Sequence, residues 1–261
     1  TYLGGKALKD ITRELIAEIA EEKAREASPA TANRFLALIR AILRRARDEW
    51  EWVERIPKIR EFRVNSHRIR WITREEAERL LSYLPPHQAA MARFALATGL
   101  RQRNVSHLEW SQVDLRQHLA WIHPEQAKAR KAIGVPLNGE ALGVLRGQLG
   151  QHARYVFTWK GNPMVQVNTK AWRTAVERAG LAPLRWHDLR HTWASWHAQA
   201  GTPLNVLQEM GGWASPEMVQ RYAHLSVTHL REHAERIAGN VPSEHKIGTK
   251  LAQRHIRLVK S

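Results

Sequence analysis

The chain has 261 residues, 41 lysines and arginines against 25 aspartates and glutamates, and no cysteine. That length supports one large domain or two small ones with a real core, and the cysteine count excludes disulfide scaffolds, thiol catalysis and cysteine-ligated zinc. A formal net charge of +16 and a pI near 10.8 point to a polyanionic partner, nucleic acid before any other. No apolar run approaches the roughly 18 residues that cross a bilayer, and the opening TYLGGKALKDITREL lacks the apolar stretch of a secretion signal.

In chain order, Leu8, Ile11, Leu15, Ile16 and Ile19 recur at helical spacing. Ser28-Pro29 supplies an N-cap and a proline at the first helical position. The helix that follows carries an apolar stripe of Phe35, Leu36, Ile39, Ile42 and Leu43, with Arg34, Arg40, Arg44, Arg45 and Arg47 around it. From Ile56 to Arg70 the period dissolves into an arginine-rich stretch, which reads as a DNA-facing linker. Thr73-Arg74-Glu75-Glu76 is a capping-box pattern that opens a second domain, and a helix through Ala89–Ala97 stops near Gly99. Trp110–Leu115, Leu119–His123 and Ile133–Leu137 are short and rich in aromatic and β-branched residues, the signature of a small antiparallel sheet. His123–Lys131 is then the loop between its last two strands.

A helix follows Asn138-Gly139, then a short strand at Tyr155–Thr158 and a helix over Val165–Ala179. The last third is helical with clear stops: from near His187 to Gly201, from Thr202-Pro203 to Gly211-Gly212, and from Ser215-Pro216 through Tyr222. A final helix is expected over Val227–Ala238, before a polar tail. The fold class is mainly α with a small antiparallel β-sheet (α+β). Residues 1–64 hold 14 basic and 11 acidic side chains, residues 65–240 hold 22 and 13, and residues 241–261 hold 5 and 1. The basic excess is spread along the chain, as in a protein that wraps a polyanion.

Three segments carry chemistry: Thr98-Gly99-Leu100-Arg101, His187-Asp188-Leu189-Arg190-His191, and Gly211-Gly212-Trp213 followed by Arg221-Tyr222-Ala223-His224. Each is weak alone. Their order and spacing, TGLR then HDLRHT then GGW then RYAH, closely resemble the tyrosine site-specific recombinases, or phage integrase family, over nearly all of residues 70–240. The resemblance implies an N-terminal helical core DNA-binding domain over 1–64, a catalytic domain over 65–240 and a C-terminal tail over 241–261. It implies that Arg101 is the first catalytic arginine, Lys128 the lysine of the β-hairpin, His187 and Arg190 the His-x-x-Arg pair, Trp213 the residue where many members have histidine, and Tyr222 the nucleophile. One departure is Asn104, at a position that is often acidic in the family and helps orient the arginine.

The residue types suit that chemistry. A phosphodiester repels a nucleophile until its charge is offset, and Arg101 and Arg190 can clamp its non-bridging oxygens with planar forks. A tyrosine with an ordinary pKa near ~10 needs proton removal or electrostatic help at neutral pH. His187 is a candidate base or donor, three residues from Arg190 on one helix face. Lys128 is the candidate acid for the leaving 5′-hydroxyl, and the Trp213 indole donates a hydrogen bond or packs the pocket.

Exchange of a phosphodiester for a phosphotyrosine conserves bond energy, so no cofactor is expected, and there is no Gly-x-x-x-x-Gly-Lys-Ser/Thr loop. No metal is expected: His187 and His191 have ligand spacing, but Arg190 would sit beside the cation. His191, with Arg44, Arg45 and Arg70, is expected to contact DNA.

The resemblance implies double-stranded DNA as the partner, clamped between the two domains. The resemblance implies a homo-tetramer on paired sites and a monomer or weak oligomer when free, with residues 226–261 docking on a neighbouring protomer. It also implies a cytoplasmic protein of a bacterial nucleoid, phage or mobile element. The rival readings are a type IB topoisomerase, with the same chemistry but no exchange of partners, and a DNA-binding regulator with a vestigial site.

Overall fold

The structure is a computed structural model, and it describes residues 2–64, 69–126, 131–164, 166–225 and 234. The chain divides into two compact units, residues 1–68 and 69–261.

The first unit is built on two helices, α1 (Arg13–Glu26) and α2 (Pro29–Asp48). Each starts where a hydroxyl satisfies an otherwise orphaned N–H: Thr12 Oγ1 accepts from Leu15 N, and Ser28 Oγ accepts from Thr31 N, both at 3.2 Å. The Thr12 cap divides the apolar run expected over Leu8–Ile19, so Leu8–Asp10 forms a separate 3-10 turn. Ile16 and Ala20 of α1 pack against Leu36, Ile39 and Leu43 of α2. Ile42 is not part of that stripe; it is 47% exposed, as is neighbouring Leu38 at 56%.

The stretch expected to be an interdomain linker is largely fastened to this unit. Ile56, Ile59 and Phe62 pack on its core, and the Asn33 side chain makes paired 2.9 Å hydrogen bonds with the Phe62 backbone. Three apolar residues at intervals of three, without helical continuity, had concealed this attachment in the sequence.

The second unit begins with α3 (Arg74–Tyr83), opened by a complete Thr73–Glu76 capping box. Next comes α4 (Pro86–Thr98), which is buried nearly all round and sits at the centre of the unit. Gly99 ends α4 in the left-handed conformation, and the short α5 (Gln102–Ser106) follows at once. The small sheet has the order β1 (Val113–Asp114), β2 (Leu119–Ile122), β3 (Ile133–Pro136), all antiparallel. Ala120 faces Val135, and Ile122 faces Ile133, on the buried side. β1 is shorter than expected because Trp110–Gln112 close into a 3-10 turn.

α6 (Gly139–Gln148) starts at the Asn138 cap, whose Oδ1 accepts from Ala141 N at 2.9 Å. β4 (Thr158–Trp159) and β5 (Asn162–Pro163) form a separate hairpin. The strand expected at Tyr155–Thr158 is thus displaced; Tyr155 makes only a lone bridge to Glu109. α7 (Lys170–Arg178) begins five residues later than expected, because Thr169 caps it by accepting from Trp172 N.

α8 (Trp186–Gln199) packs on α4, and α9 (Leu204–Gly211) packs on α8 and β3. α10 (Glu217–Gln220) has only four residues. Tyr222 therefore lies past the helix expected to carry it, just before a 3-10 turn at Ala223–Leu225. The helix expected over Val227–Ala238 lies outside the described residues, save Ala234. Among the described residues no helix is long and apolar enough to cross a membrane.

Candidate active site

The site is organised around α8. Its first turn is held by Asp188, which is buried and accepts from the Arg185 N–H at 2.8 Å and from the Arg185 guanidinium at 3.1 Å. Asp188 therefore caps the helix, as a carboxylate near a helix N-terminus should. One turn of α8 presents His187, Arg190 and His191 together. The two imidazole rings stand perpendicular, 5.0 Å apart.

Arg190 is only 5% exposed, and two backbone carbonyls hold its fork. Nη1 donates to Gly99 O at 2.6 Å, and Nη2 donates to Gly211 O at 2.5 Å. The Trp213 ring lies 4.2 Å from the guanidinium carbon, a cation–π contact. Burial, reinforced by the Arg101 charge, pushes the Arg190 pKa down to about 9.

Glycine is required at both carbonyls. At Gly99 φ is +65°, and a Cβ would lie 2.2 Å from the Trp193 ring. At Gly211 a Cβ would lie 2.0 Å from the Trp213 ring. The glycines of TGLR and GGW thus let two tryptophans close over the helix while their carbonyls fix one arginine. In the sequence both glycines read only as helix stops. Their position two residues before Arg101 and Trp213 is the available signal.

Arg101 lies two residues after Gly99 and is the N-cap residue of α5. Its Nη1 is buried with no hydrogen-bond partner among the described residues. Burial lowers its pKa. Asn104, buried on α5, donates to the Gln126 carbonyl at 3.1 Å. The Gln126 side chain in turn accepts from Gln112 at 2.7 Å. Asn104 thereby ties α5 to the start of the loop that leads to Lys128. Lys128 itself lies outside the described residues.

Tyr222 is 1% exposed. Its hydroxyl sits 2.6 Å from His191 Nδ1, and its ring lies 5.9 Å from Trp213. Burial pushes its pKa up to about 12, against the opposing pull of Arg190 and Arg221. Burial, and next His187, push His191 down to about 4. His187 is solvent-exposed, yet its crowded surroundings and the Arg190 charge also lower its pKa.

The structure therefore brings Arg190, His187, His191, Trp213 and Tyr222 together, with Arg101 two residues beyond Gly99. It puts His191, expected at DNA, on the tyrosine hydroxyl. Arg70 Nη2 donates to the Leu181 carbonyl at 2.7 Å. Arg44 and Arg45 belong to the first unit and are exposed, Arg45 paired with Glu49 at 2.6 Å.

Comparison with known proteins places this geometry. Residues 70–229 match the phage integrase family. The integrase of Salmonella phage P22 is 46% identical over 228 residues, which cover 82% of this chain and 59% of that protein. The shufflon-specific DNA recombinase of Escherichia coli is 31% identical over 222 residues, covering 81% of this chain and 56% of that one. The chain thus spans somewhat over half the length of these relatives. Among solved structures, the Tn1549 transposon integrase in complex with transposon right-end DNA matches in fold, with a TM-score of 0.72 at 18% identity, over 91% of this chain and 89% of that one.

Proposed function

The chain belongs to the phage integrase family, and from that premise we propose that it is a site-specific recombinase that cuts and rejoins duplex DNA through a 3′-phosphotyrosyl link to Tyr222. The observation that carries this reading is one buried tyrosine hydroxyl bonded to His191, on the helix turn that also carries His187 and an immobilised Arg190, together with a second arginine that has a buried N–H unpartnered among the described residues. A buried donor without a partner costs about 1–3 kcal/mol. A phosphate oxygen is the acceptor that would offset it.

In the proposed reaction, Arg101 and Arg190 neutralise the non-bridging oxygens, most strongly as charge builds on them. Arg190 still has three N–H groups beyond the two bound to carbonyls, and those two bonds fix the plane in which it meets the phosphate. Tyr222 Oη attacks phosphorus, the P–O5′ bond breaks, and Lys128 supplies the proton that the 5′-oxygen takes. A 5′-hydroxyl from a partner duplex then reverses the step. Because Tyr222 is sealed in this structure, DNA engagement has to open the cover over it. Relatives named integrase and recombinase favour exchange over site-independent relaxation.

Residues 1–64 are proposed as the core DNA-binding domain, 65–240 as the catalytic domain and 241–261 as a tail. Assembly is proposed to be tetrameric on paired sites, in the cytoplasm of a bacterial host.

The test is covalent trapping. Wild type and Tyr222→Phe are incubated with nicked duplexes from the DNA flanking the gene and run on denaturing gels. A slow band formed by wild type alone is the expected result. Tight binding by both proteins with no adduct from either would instead indicate a binding-only protein.

A further inference from the structure

We infer that His191 is the group that takes the proton from Tyr222 as the tyrosine attacks phosphorus, in place of His187, the residue of the His-x-x-Arg pair to which the sequence pattern assigns that part. The inference rests on the recombinase reading above.

Geometry comes first. His191 Nδ1 lies 2.6 Å from Tyr222 Oη, a short contact with the reacting atom itself. His187 makes no hydrogen bond to Tyr222 among the described residues; it faces solvent and meets His191 edge-on at 5.0 Å. The acceptor is also well anchored. His191 follows Arg190, which two carbonyls hold, and precedes Thr192, whose hydroxyl bonds back to Asp188 O at 2.8 Å. On the other side, Tyr222 N donates to Val219 O at 2.9 Å.

The protonation states agree with this direction of transfer. His191 is held neutral at physiological pH, and Tyr222 is held as the phenol. The O–H therefore donates to an unprotonated Nδ1, with the ring proton on Nε2. The charged and titratable groups facing the pair are His187, Asp188 and Arg190 on α8, Arg185 at its N-cap, and Arg221 beside the tyrosine. The cations among them oppose an early imidazolium. The proton thus stays on Tyr222 until the O–P bond forms, because an aryl ester oxygen is a far weaker base than phenolate.

The step balances. The Tyr222 Oη–P bond forms, the Oη–H proton passes to His191 Nδ1, the P–O5′ bond breaks, and the 5′-oxygen takes its proton from a separate acid. In the reverse step the imidazolium returns the proton to Oη.

The test is His191→Asn, which keeps a hydrogen-bond acceptor near the Nδ1 position but cannot carry the proton. Single-turnover formation of the covalent adduct is followed from pH 6 to pH 9 in the full chain, with Tyr222→Phe as control. The expected result is a 10²–10⁴-fold loss at neutral pH. The residual rate should rise about tenfold per pH unit, since hydroxide then removes the phenol proton, whereas wild type stays flat over that range. A bridging 5′-sulfur at the scissile position, a leaving group that needs no acid, should leave the deficit in place.

A variant within threefold of wild type, or one slowed equally at every pH, would overturn the inference and leave His191 an orienting group at most. If His191→Asn fails to fold by circular dichroism, His191→Gln answers the same question. If wild type itself forms no Tyr222-dependent adduct, the recombinase reading fails first, and this inference with it.

Discussion

The two compact units use arginine in opposite ways. In the first, Arg40, Arg45 and Arg47 pair with Glu61, Glu49 and Asp48 at 2.6–2.7 Å, and Arg44 is exposed. Exposed pairs of that kind contribute about 0–1 kcal/mol and leave the cation able to exchange partners. In the second, Arg190 is sealed beneath Trp213 and fixed on two carbonyls, while Arg101 keeps a buried, unpartnered N–H. The same residue type thus gives an adaptable electrostatic surface in one unit and a preorganised group in the other. A net charge alone does not distinguish these uses.

The comparison breaks most visibly at Arg190. Arg190→Ala should abolish adduct formation, by at least about 10²-fold, through loss of a preorganised transition-state contact. It should also lower stability by about 2 kcal/mol, since the buried carbonyls of Gly99 and Gly211 lose their donor, partly offset by relief of a buried charge. Urea unfolding of the variant checks this; unchanged stability would mean that those carbonyls find other donors. The neighbouring Gly99→Ala should cost more stability, about 3 kcal/mol, because it adds a left-handed conformational penalty to a clash with Trp193.

Acid unfolding sharpens the contrast between the units. His191 has a folded pKa of about 4 against an ordinary 6.5, so the unfolded chain binds more protons between those values. Stability therefore falls as pH drops from 6.5 toward 4, by no more than about 3 kcal/mol from this residue. Tyr222, raised to about 12 from 10, gives the mirror case at alkaline pH: the folded state binds more protons, and stability falls as pH rises from 10 to 12. His191→Asn should flatten the acid limb, as read from thermal midpoints at pH 4 and pH 7. An unchanged limb would place that proton uptake on other buried histidines.

Much of this was legible in the residues because it is local. The caps at Ser28, Thr73 and Asn138 follow from one side chain and an N–H three residues on. The four motifs are short, and their order is their signal. The contacts that make the site are not local: Arg190 meets Gly99 across 91 residues and Gly211 across 21, and Tyr222 meets His191 across 31. No periodicity encodes such pairings. The attachment of residues 56–62 was hidden for the same reason, since Asn33 reaches Phe62 across 29 positions. The early end of α10 is not legible because the apolar pattern through Met218, Val219 and Tyr222 continues at helical spacing after the helix itself has stopped.

The smallest expected effect lies on the surface of the first unit. Arg44→Ala and Arg45→Ala should change stability by no more than about 0.5 kcal/mol, since neither side chain supports the core. If this face meets the DNA backbone as proposed, each substitution should weaken binding to all sequences alike and reduce the slope of log affinity against log salt by about one. Arg45 carries an added term. Its guanidinium lies 5.8 Å from the Trp50 ring and is bonded to Glu49, so DNA must compete with both partners. Arg45→Ala should therefore weaken binding less than Arg44→Ala, and Glu49→Gln should strengthen it by freeing Arg45. Salt titrations of the three variants on one duplex decide the matter. Equal slopes throughout would remove this face from the DNA path and leave the basic excess of the first unit to solubility.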